Sequence, residues 1–349
     1  MLSYWLLLVT PVLTGVGPQL HRGAARVATA IAALTLIAMI GLRYVVGCDW
    51  YNYIDNLDSI RYTNPIEAIS VAQDPGYGLL EWLSLQLGLD IYGVNIGCGI
   101  IFTWGLLTFC RRQPIPWLTF VIAVPMLVII VGMGFTRQAV AIGFLMLSFV
   151  AFEDKKLIKF LVFVALAASF HKTAVVATPL AAFVDPKRVV SPLLAAGLAT
   201  AAFLAAFLTA KLDYLTYNYI GNAQWEGEGS AAVYRLSLNL GAAIVFFAMM
   251  KKWRRRYTDT RLYFIFSLVA VAAFPFAFVE PVASDRMSLY LLPYQVSVYS
   301  RIPDFFERPA LKAAIISAAV VASGLLMWVW FTFAKNSWCW MPYGNLLFQ

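Results

Sequence analysis

The residues best placed for chemistry are three arginines at the ends of apolar runs, where a charge is costly unless it snorkels, pairs or binds an anion. Arg137 and Gln138 follow Gly132-Met133-Gly134-Phe135-Thr136, and Arg235 and Asp285-Arg286 occur at later boundaries. Asp285 could simply neutralise Arg286. Three guanidinium forks around one cavity would suit a diphosphate, whose oxygens they match in pairs. His171 is one of two histidines; the other, His21, sits in a basic loop. Placed between Phe170 and Lys172-Thr173, inside an apolar stretch, its imidazole could take a proton from a hydroxyl near neutral pH. Asp49, within Gly47-Cys48-Asp49-Trp50-Tyr51-Asn52-Tyr53, could bind a hydroxyl or a cation, or could be a solvated acid in an aromatic belt. Asp74-Pro75-Gly76-Tyr77 reads as a turn entering a helix.

These residues are positioned by membrane helices. Of 349 residues 61% are hydrophobic and 13% charged, whereas a soluble domain would carry roughly 25% charge. Apolar runs long enough to cross about 30 Å of hydrocarbon as helices recur along the chain, and the alternating short segments of a barrel are missing. Candidate segments lie near 3–17, 27–46, 92–110, 115–134, 136–152, 157–183, 190–210, 231–250, 262–279, 285–300 and 311–334. The fold expected is an all-α polytopic bundle of about 11–12 membrane segments, forming one integral membrane domain over 1–349. Met1 to Gly17 lacks a basic leading region and reads as retained. The net charge of +8 resides in short connections such as Arg22 and Arg26, Arg111-Arg112 and Lys251 to Arg256. That is the positive-inside pattern, and it points to membrane lipids rather than nucleic acid as the partner of these charges.

With those connections in the cytoplasm, the polar loop 47–90 faces outward, as does a second loop at 211–230. Glycine-rich Gly76-Tyr77-Gly78 leads the first loop into an amphipathic stretch ending Glu81-Trp82-Leu83. Reading 157–183 as one helix would reverse the charge rule downstream. Breaking it at Ser169–Lys172 restores the rule, and leaves a first arm of roughly 21 Å, short of the bilayer core. Backbone broken at that depth needs a protein-lined or watery surrounding. Four cysteines (Cys48, Cys98, Cys110, Cys339) lack metal-type spacing, so no metal is expected. Cys48 and Cys339 share the outer side, which permits a disulfide, although nothing in the sequence shows them to be near each other.

In order and spacing, Gly47-x-Asp49-x-x-x-Tyr53, Asp74-Pro75-Gly76-Tyr77, Arg137-Gln138, Phe170-His171-Lys172-Thr173-Ala174, Asp285-Arg286-x-x-x-Tyr290 and Trp340-Met341-Pro342-Tyr343 resemble the EpsG-like family of Wzy-type exopolysaccharide and O-antigen polymerases. Asp74 departs from the family's more frequent Glu before the proline. The resemblance implies a GT-C-like membrane bundle in the bacterial cytoplasmic membrane, with its catalytic face toward the periplasm. Its implied activity is inverting transfer between polyprenyl-diphosphate-linked oligosaccharides, with no cofactor and no metal. It casts His171, with Asp49 second, as the base. Arg137, Gln138, Arg235, Asp285, Arg286, Tyr53, Asp74, Tyr77 and Tyr290 become substrate-binding residues, and Trp50 and Trp225 possible sugar platforms. A chain-length regulator or a flippase would be natural partners. The same residues would also serve a lipid-glycan transporter, which shares broken helices and intramembrane charge, or a glycan ligase with similar chemistry.

Overall fold

The computed structural model describes residues 1–15, 22–72, 74–184, 229–278 and 281–348. The expected helix at 190–210, Trp225 and nearly all of the loop 211–230 lie outside the described residues. Two compact units emerge, Met1–Leu147 with Leu166–His171 and Ser300–Gln349, and Ser148–Ala165 with Lys172–Tyr299. The described chain is helical apart from two short strands and its connections. Among the described residues, six helices are long and apolar enough to cross a membrane, at Gly23–Gly41, Asp90–Arg111, Thr136–Glu153, Ala232–Arg256, Thr260–Phe278 and Pro309–Phe333. Shorter apolar helices cover Leu2–Val12, Pro116–Gly132, Leu157–Phe170 and Lys172–Phe183. The chain is a multi-pass, all-α membrane protein.

In the first unit, α1 (Leu2–Gly15) packs on α7 (Pro116–Ala123), and α2 (Arg22–Gly41) runs along α6 (Asp90–Arg111). Strand β1 (Arg43–Tyr44) leads to α3 (Trp50–Ser59), α4 (Pro65–Val71) and α5 (Pro75–Gln86), which together form the loop 47–90. Asn64 opens α4 with a capping box: its side chain accepts from Ile66 N and Glu67 N, and Glu67 accepts from Asn64 N. Helix α7 continues into a π-helical stretch, Val124–Gly132, all of it buried. Helix α8 (Thr136–Glu153) follows, and its crossing with α6 is so close that a Cβ on Gly105 would collide with the Gly143 backbone. Only glycine permits that approach. The break foreseen at His171 is present: α9 (Leu157–Phe170) ends one residue earlier, and the chain resumes as a 3₁₀ helix over Lys172–Phe183. A 3₁₀ run of that length is unusual and marks a place where α-helical geometry was given up.

The carboxyl-terminal segment after α14 (Pro309–Phe333) staples several elements of the first unit together. Strand β2 (Gly344–Asn345) pairs antiparallel with β1, Arg43 opposite Asn345. Gly47 N donates to Cys339 O at 2.8 Å, and Gly47 adopts φ 96°, open mainly to glycine. Tyr4 Oη donates to Trp340 O at 2.7 Å, and Trp340 Nε1 donates to Ile129 O of the π-helical stretch at 2.9 Å. Cys48 and Cys339 form a disulfide with their Cα atoms 5.1 Å apart.

In the second unit, α10 (Gly229–Arg256) packs on α11 (Thr260–Ala273) and α12 (Pro281–Ser288). Trp253, Tyr263, Phe246 and Tyr294 form one aromatic cluster. The apolar run expected as a single span at 285–300 is instead divided. Helix α12 gives way to a short 3₁₀ turn, Leu289–Leu291, and α13 (Leu292–Arg301) restarts with Pro293, a residue suited to a helix start. Gln295, Ser297 and Ser300 are buried, so this run is internal packing with polar contacts.

The disulfide leaves Cys98 and Cys110 as the free, buried thiols. Denatured protein kept from reductant should therefore take up two maleimides per chain, and four after reduction. Four before reduction would refute the bridge. Cys48→Ser should lower stability by roughly 2–4 kcal/mol, read as a lower thermal midpoint.

Candidate functional site

Arg137 lies in the first turn of α8, and its Nη1 donates to Asp74 Oδ2 at 3.1 Å. Asp74 begins α5 without capping it, so its carboxylate is turned to the arginine. Asp74 is 4% exposed and Arg137 23%, which leaves the arginine edge reachable while the acid is enclosed. Tyr53 hydrogen-bonds both Arg137 and the buried Thr136. The Arg137 guanidinium lies 5.9 Å from the centroid of the Tyr77 ring, and the Tyr53 and Tyr77 rings are 6.0 Å apart. Burial raises both phenols above the ordinary tyrosine value, Tyr53 further through the Asp49 charge and Tyr77 through Glu81. Both phenols are therefore neutral, and Tyr53 accepts from the Arg137 guanidinium.

A second arginine supports this arrangement. Arg43 is buried and donates to Ile40 O at 2.7 Å, Val46 O at 3.3 Å and Thr136 Oγ1 at 2.7 Å. Its guanidinium also lies 5.8 Å from the centroid of the Trp50 ring. Burial holds its pKa below the usual arginine value, partly offset by Tyr53 and Tyr77. Arg43 thereby fixes the turn after α2, the start of α3 and Thr136 beside Arg137.

His171 is half-buried, and its backbone N donates to Ala167 O at 2.9 Å as α9 ends. The residues just before it touch the start of α5: a Cβ on Gly76 would lie 2.6 Å from Ser169 Oγ and 3.1 Å from the Phe170 ring. The structure thus brings the end of α9, just before His171, to the Asp74-Pro75-Gly76 turn. Asp49 is half-buried at the start of α3, and its carbonyl accepts from Tyr53 N at 3.0 Å. Gln138 is buried beside Arg137 in sequence.

The remaining candidates belong to the second unit and form their own group. Arg235 Nη1 binds Asp285 Oδ2 at 2.5 Å, with both side chains largely buried. The direct bond goes to Arg235, and Arg286 acts on Asp285 only through its field. The reason is geometric: Asp285 and Arg286 are successive on one helix and do not face each other. Burial raises the Asp285 carboxyl above its usual value despite both cations. Thr173 and Tyr290 share a hydrogen bond of 2.7 Å. Among the described residues, no group of three or more His, Cys, Asp or Glu side chains could hold a metal.

The model of the EpsG family matches residues 27–345. The chain belongs to the EpsG family. No curated protein and no solved structure matches it.

This EpsG-family site contains one residue that the sequence reading left unassigned, Glu81. It is 2% exposed, and burial pushes its carboxyl up to about 8, against the opposing pull of Arg137. The signal was present: 74, 77, 81 and 84 fall on one helical face, and all four residues are polar and buried. Arg43 carries no such signal, since nothing local foretells its bond to Thr136, 93 residues away.

Removing one partner of a buried ion pair costs roughly 3–5 kcal/mol, because a charge is left stranded. Arg137→Ala should destabilise the protein on that scale. Arg137→Ala combined with Asp74→Ala should cost less than Arg137→Ala alone, measured as thermal midpoints in one detergent. Strict additivity of the two single changes would show that the pair contributes no coupling.

Proposed function

We propose that this EpsG-family protein is a membrane glycosyltransferase of the polysaccharide-polymerase type. It joins polyprenyl-diphosphate-linked repeat units at the outer face of the bacterial cytoplasmic membrane. The observation carrying this reading is the half-buried Arg137, oriented by Asp74 and Tyr53 at the mouth of a helix in a chain the family model covers almost end to end. Family membership supports a polysaccharide-polymerase role in general, and the site supplies a chemistry for it.

An oligosaccharide on a lipid diphosphate already carries a good leaving group. The hydroxyl of an acceptor sugar attacks the anomeric carbon, the bond from that carbon to the diphosphate oxygen breaks, and the electron pair leaves with the diphosphate. A single displacement inverts the anomeric centre. Arg137 meets the charge growing on the diphosphate, and its attachment to Asp74 and Tyr53 spares reorganisation during the reaction. The acceptor proton passes to His171, which follows the end of α9 that meets the Asp74-Pro75-Gly76 turn, with Asp49 the second candidate. Gln138, Tyr53 and Tyr77 shape the same wall. Arg235, Asp285, Arg286 and Tyr290 are read as a further substrate-binding group of the second unit.

Two independent arguments support the outer placement. Helix α6 carries Asp90 at one end and Arg111 at the other, and the positive-inside rule puts Arg111 in the cytoplasm. The Cys48–Cys339 bridge belongs to the same side as Asp49, and structural disulfides persist in oxidising compartments.

Purified protein in proteoliposomes, given lipid-linked repeat units, should produce a ladder of longer glycans. Intact substrate appearing across the membrane with no new glycosidic bond would mean a carrier instead. Arg137→Ala, assayed on its folded fraction, should lose about 10²–10³-fold in kcat, the scale for one preorganised charge donor. Full activity in that variant would remove Arg137 from the mechanism.

A further inference from the structure

The mechanism above leaves a buried polar seam between α5 and α6 without a task. The face of α5 that points inward carries Asp74, Tyr77, Glu81 and Ser84, while Leu79 and Leu83 point outward. A Cβ on Gly93 would collide with Ser84, and one on Gly97 would lie 3.0 Å from Leu80. The helices therefore run antiparallel, and Glu81 is level with residues 95–98 of α6. Asn95 and Cys98 are both fully buried there. Among the described residues, Tyr77 Oη, Glu81 Oε1 and both amide atoms of Asn95 find no hydrogen-bond partner. Glu81 forms no ion pair, since Arg137, the cation whose field reaches it, is bonded to Asp74. An ionised carboxylate with no direct cation and no bonded donor is expensive to bury, and such a group takes up a proton instead.

We propose that Glu81 is a positioning residue for anion binding at Arg137, held as a neutral carboxylic acid at working pH, whose ionisation would set a second carboxylate against Arg137 and weaken its hold on a diphosphate. The proposal rests on the reading of Arg137 as the diphosphate ligand. The groups around Glu81 act in both directions. Arg137 of α8 favours the anion and Asp74 disfavours it, and burial outweighs both. Tyr77 on its own helix, Cys98 of α6 and Tyr53 of α3 are neutral, and Arg43 acts on Tyr77 and Cys98. Glu67 of α4 is occupied in its capping box. The sign follows: with its carboxyl at about 8, Glu81 is neutral below that pH and anionic above it. Anion binding is strong on the acid side and lost on the alkaline side.

The test is the affinity of the purified full chain for polyprenyl diphosphate without glycan, in detergent micelles, across this range. Wild type should lose about tenfold or more as Glu81 ionises, the scale of one added charge at an effective dielectric near 20. Glu81→Gln, isosteric but unable to ionise, should lose that alkaline fall, and an unchanged fall would overturn the proposal. Asp74→Asn should move the fall to lower pH, because Asp74 helps keep Glu81 protonated. If Glu81→Gln does not fold, infrared difference spectra of wild type with isotope-labelled glutamate decide the matter. No protonated glutamic acid above pH 7 would overturn the proposal. Chain elongation separates the two readings: diphosphate binding with the Glu81-dependent fall but no elongation sinks the polymerase and leaves Glu81 standing. Elongation with no such fall does the reverse.

Discussion

A guanidinium at the end of a membrane helix has few ways to remain there, and the bond from Arg137 to Asp74 is the one this protein uses. Much of the arrangement of α3, α4 and α5 can be derived from that constraint. To deliver a carboxylate, α5 must turn a polar face inward, and Leu79 and Leu83 are then exposed between Pro75 and Gln86 at its ends. A helix with that inverted pattern suits the lipid boundary, where an apolar outer face is favourable. The loop 47–90 is therefore a cover of three short helices over the start of α8, and a soluble excursion would not require Leu79 and Leu83 on its surface. The glycines on α6 serve the same end, since Gly93 and Gly97 let α5 lie close enough for its acids to reach inward.

Holding such a cover in place requires ties from elsewhere in the chain. Local helix propensity cannot provide them, because α3 and α4 are too short to be stable alone. The carboxyl-terminal segment supplies them through β2, the disulfide and Trp340. Each anchors a different element: β2 the turn carrying Arg43, Cys339 the start of α3, and Trp340 the π-helical stretch that leads into α8. The wider winding of a π-helix leaves backbone carbonyls out of regular register, and Ile129 O is taken up by the Trp340 indole. Arg43 completes the set by bonding two carbonyls and Thr136, so one buried cation ties α2, the turn beyond it and the Arg137 helix together.

Hydropathy made the bundle legible, because each long helix must be apolar over its whole length to cross. The break at His171 was legible for a different reason: charge on the far side of 157–183 could not be balanced otherwise. Three features escaped for physical reasons. The apolar run at 285–300 has the composition of a span, but composition does not report that Pro293 restarts the helix or that its serines point inward. The π-helical winding of Val124–Gly132 carries no compositional mark, since every residue there is apolar under any helical period. The bridge joins cysteines 291 residues apart, a separation over which one sequence gives no pairing information. At the site, Arg137, Asp74, Tyr53 and Tyr77 were identified by type and came together. Glu81 was overlooked because a Glu in an amphipathic stretch is ordinarily on its wet face.

The reversal of that expectation sharpens what the site demands. Two carboxylates at one arginine would leave it electrically spent, and an anion would find little to bind. One carboxylate fixes the guanidinium in orientation and leaves charge for a ligand. A neutral carboxylic acid beside it adds hydrogen-bonding capacity without cancelling that charge. Direct contact with Arg137 is what separates the two acids of α5, because both are buried on one face of one helix. Asp74 bonds Arg137 directly, and Glu81, nearly two turns further along, receives only the field. A separation of about 10 Å along α5 thus becomes a difference of charge, and on it depends whether Arg137 can still act on anything but its own protein.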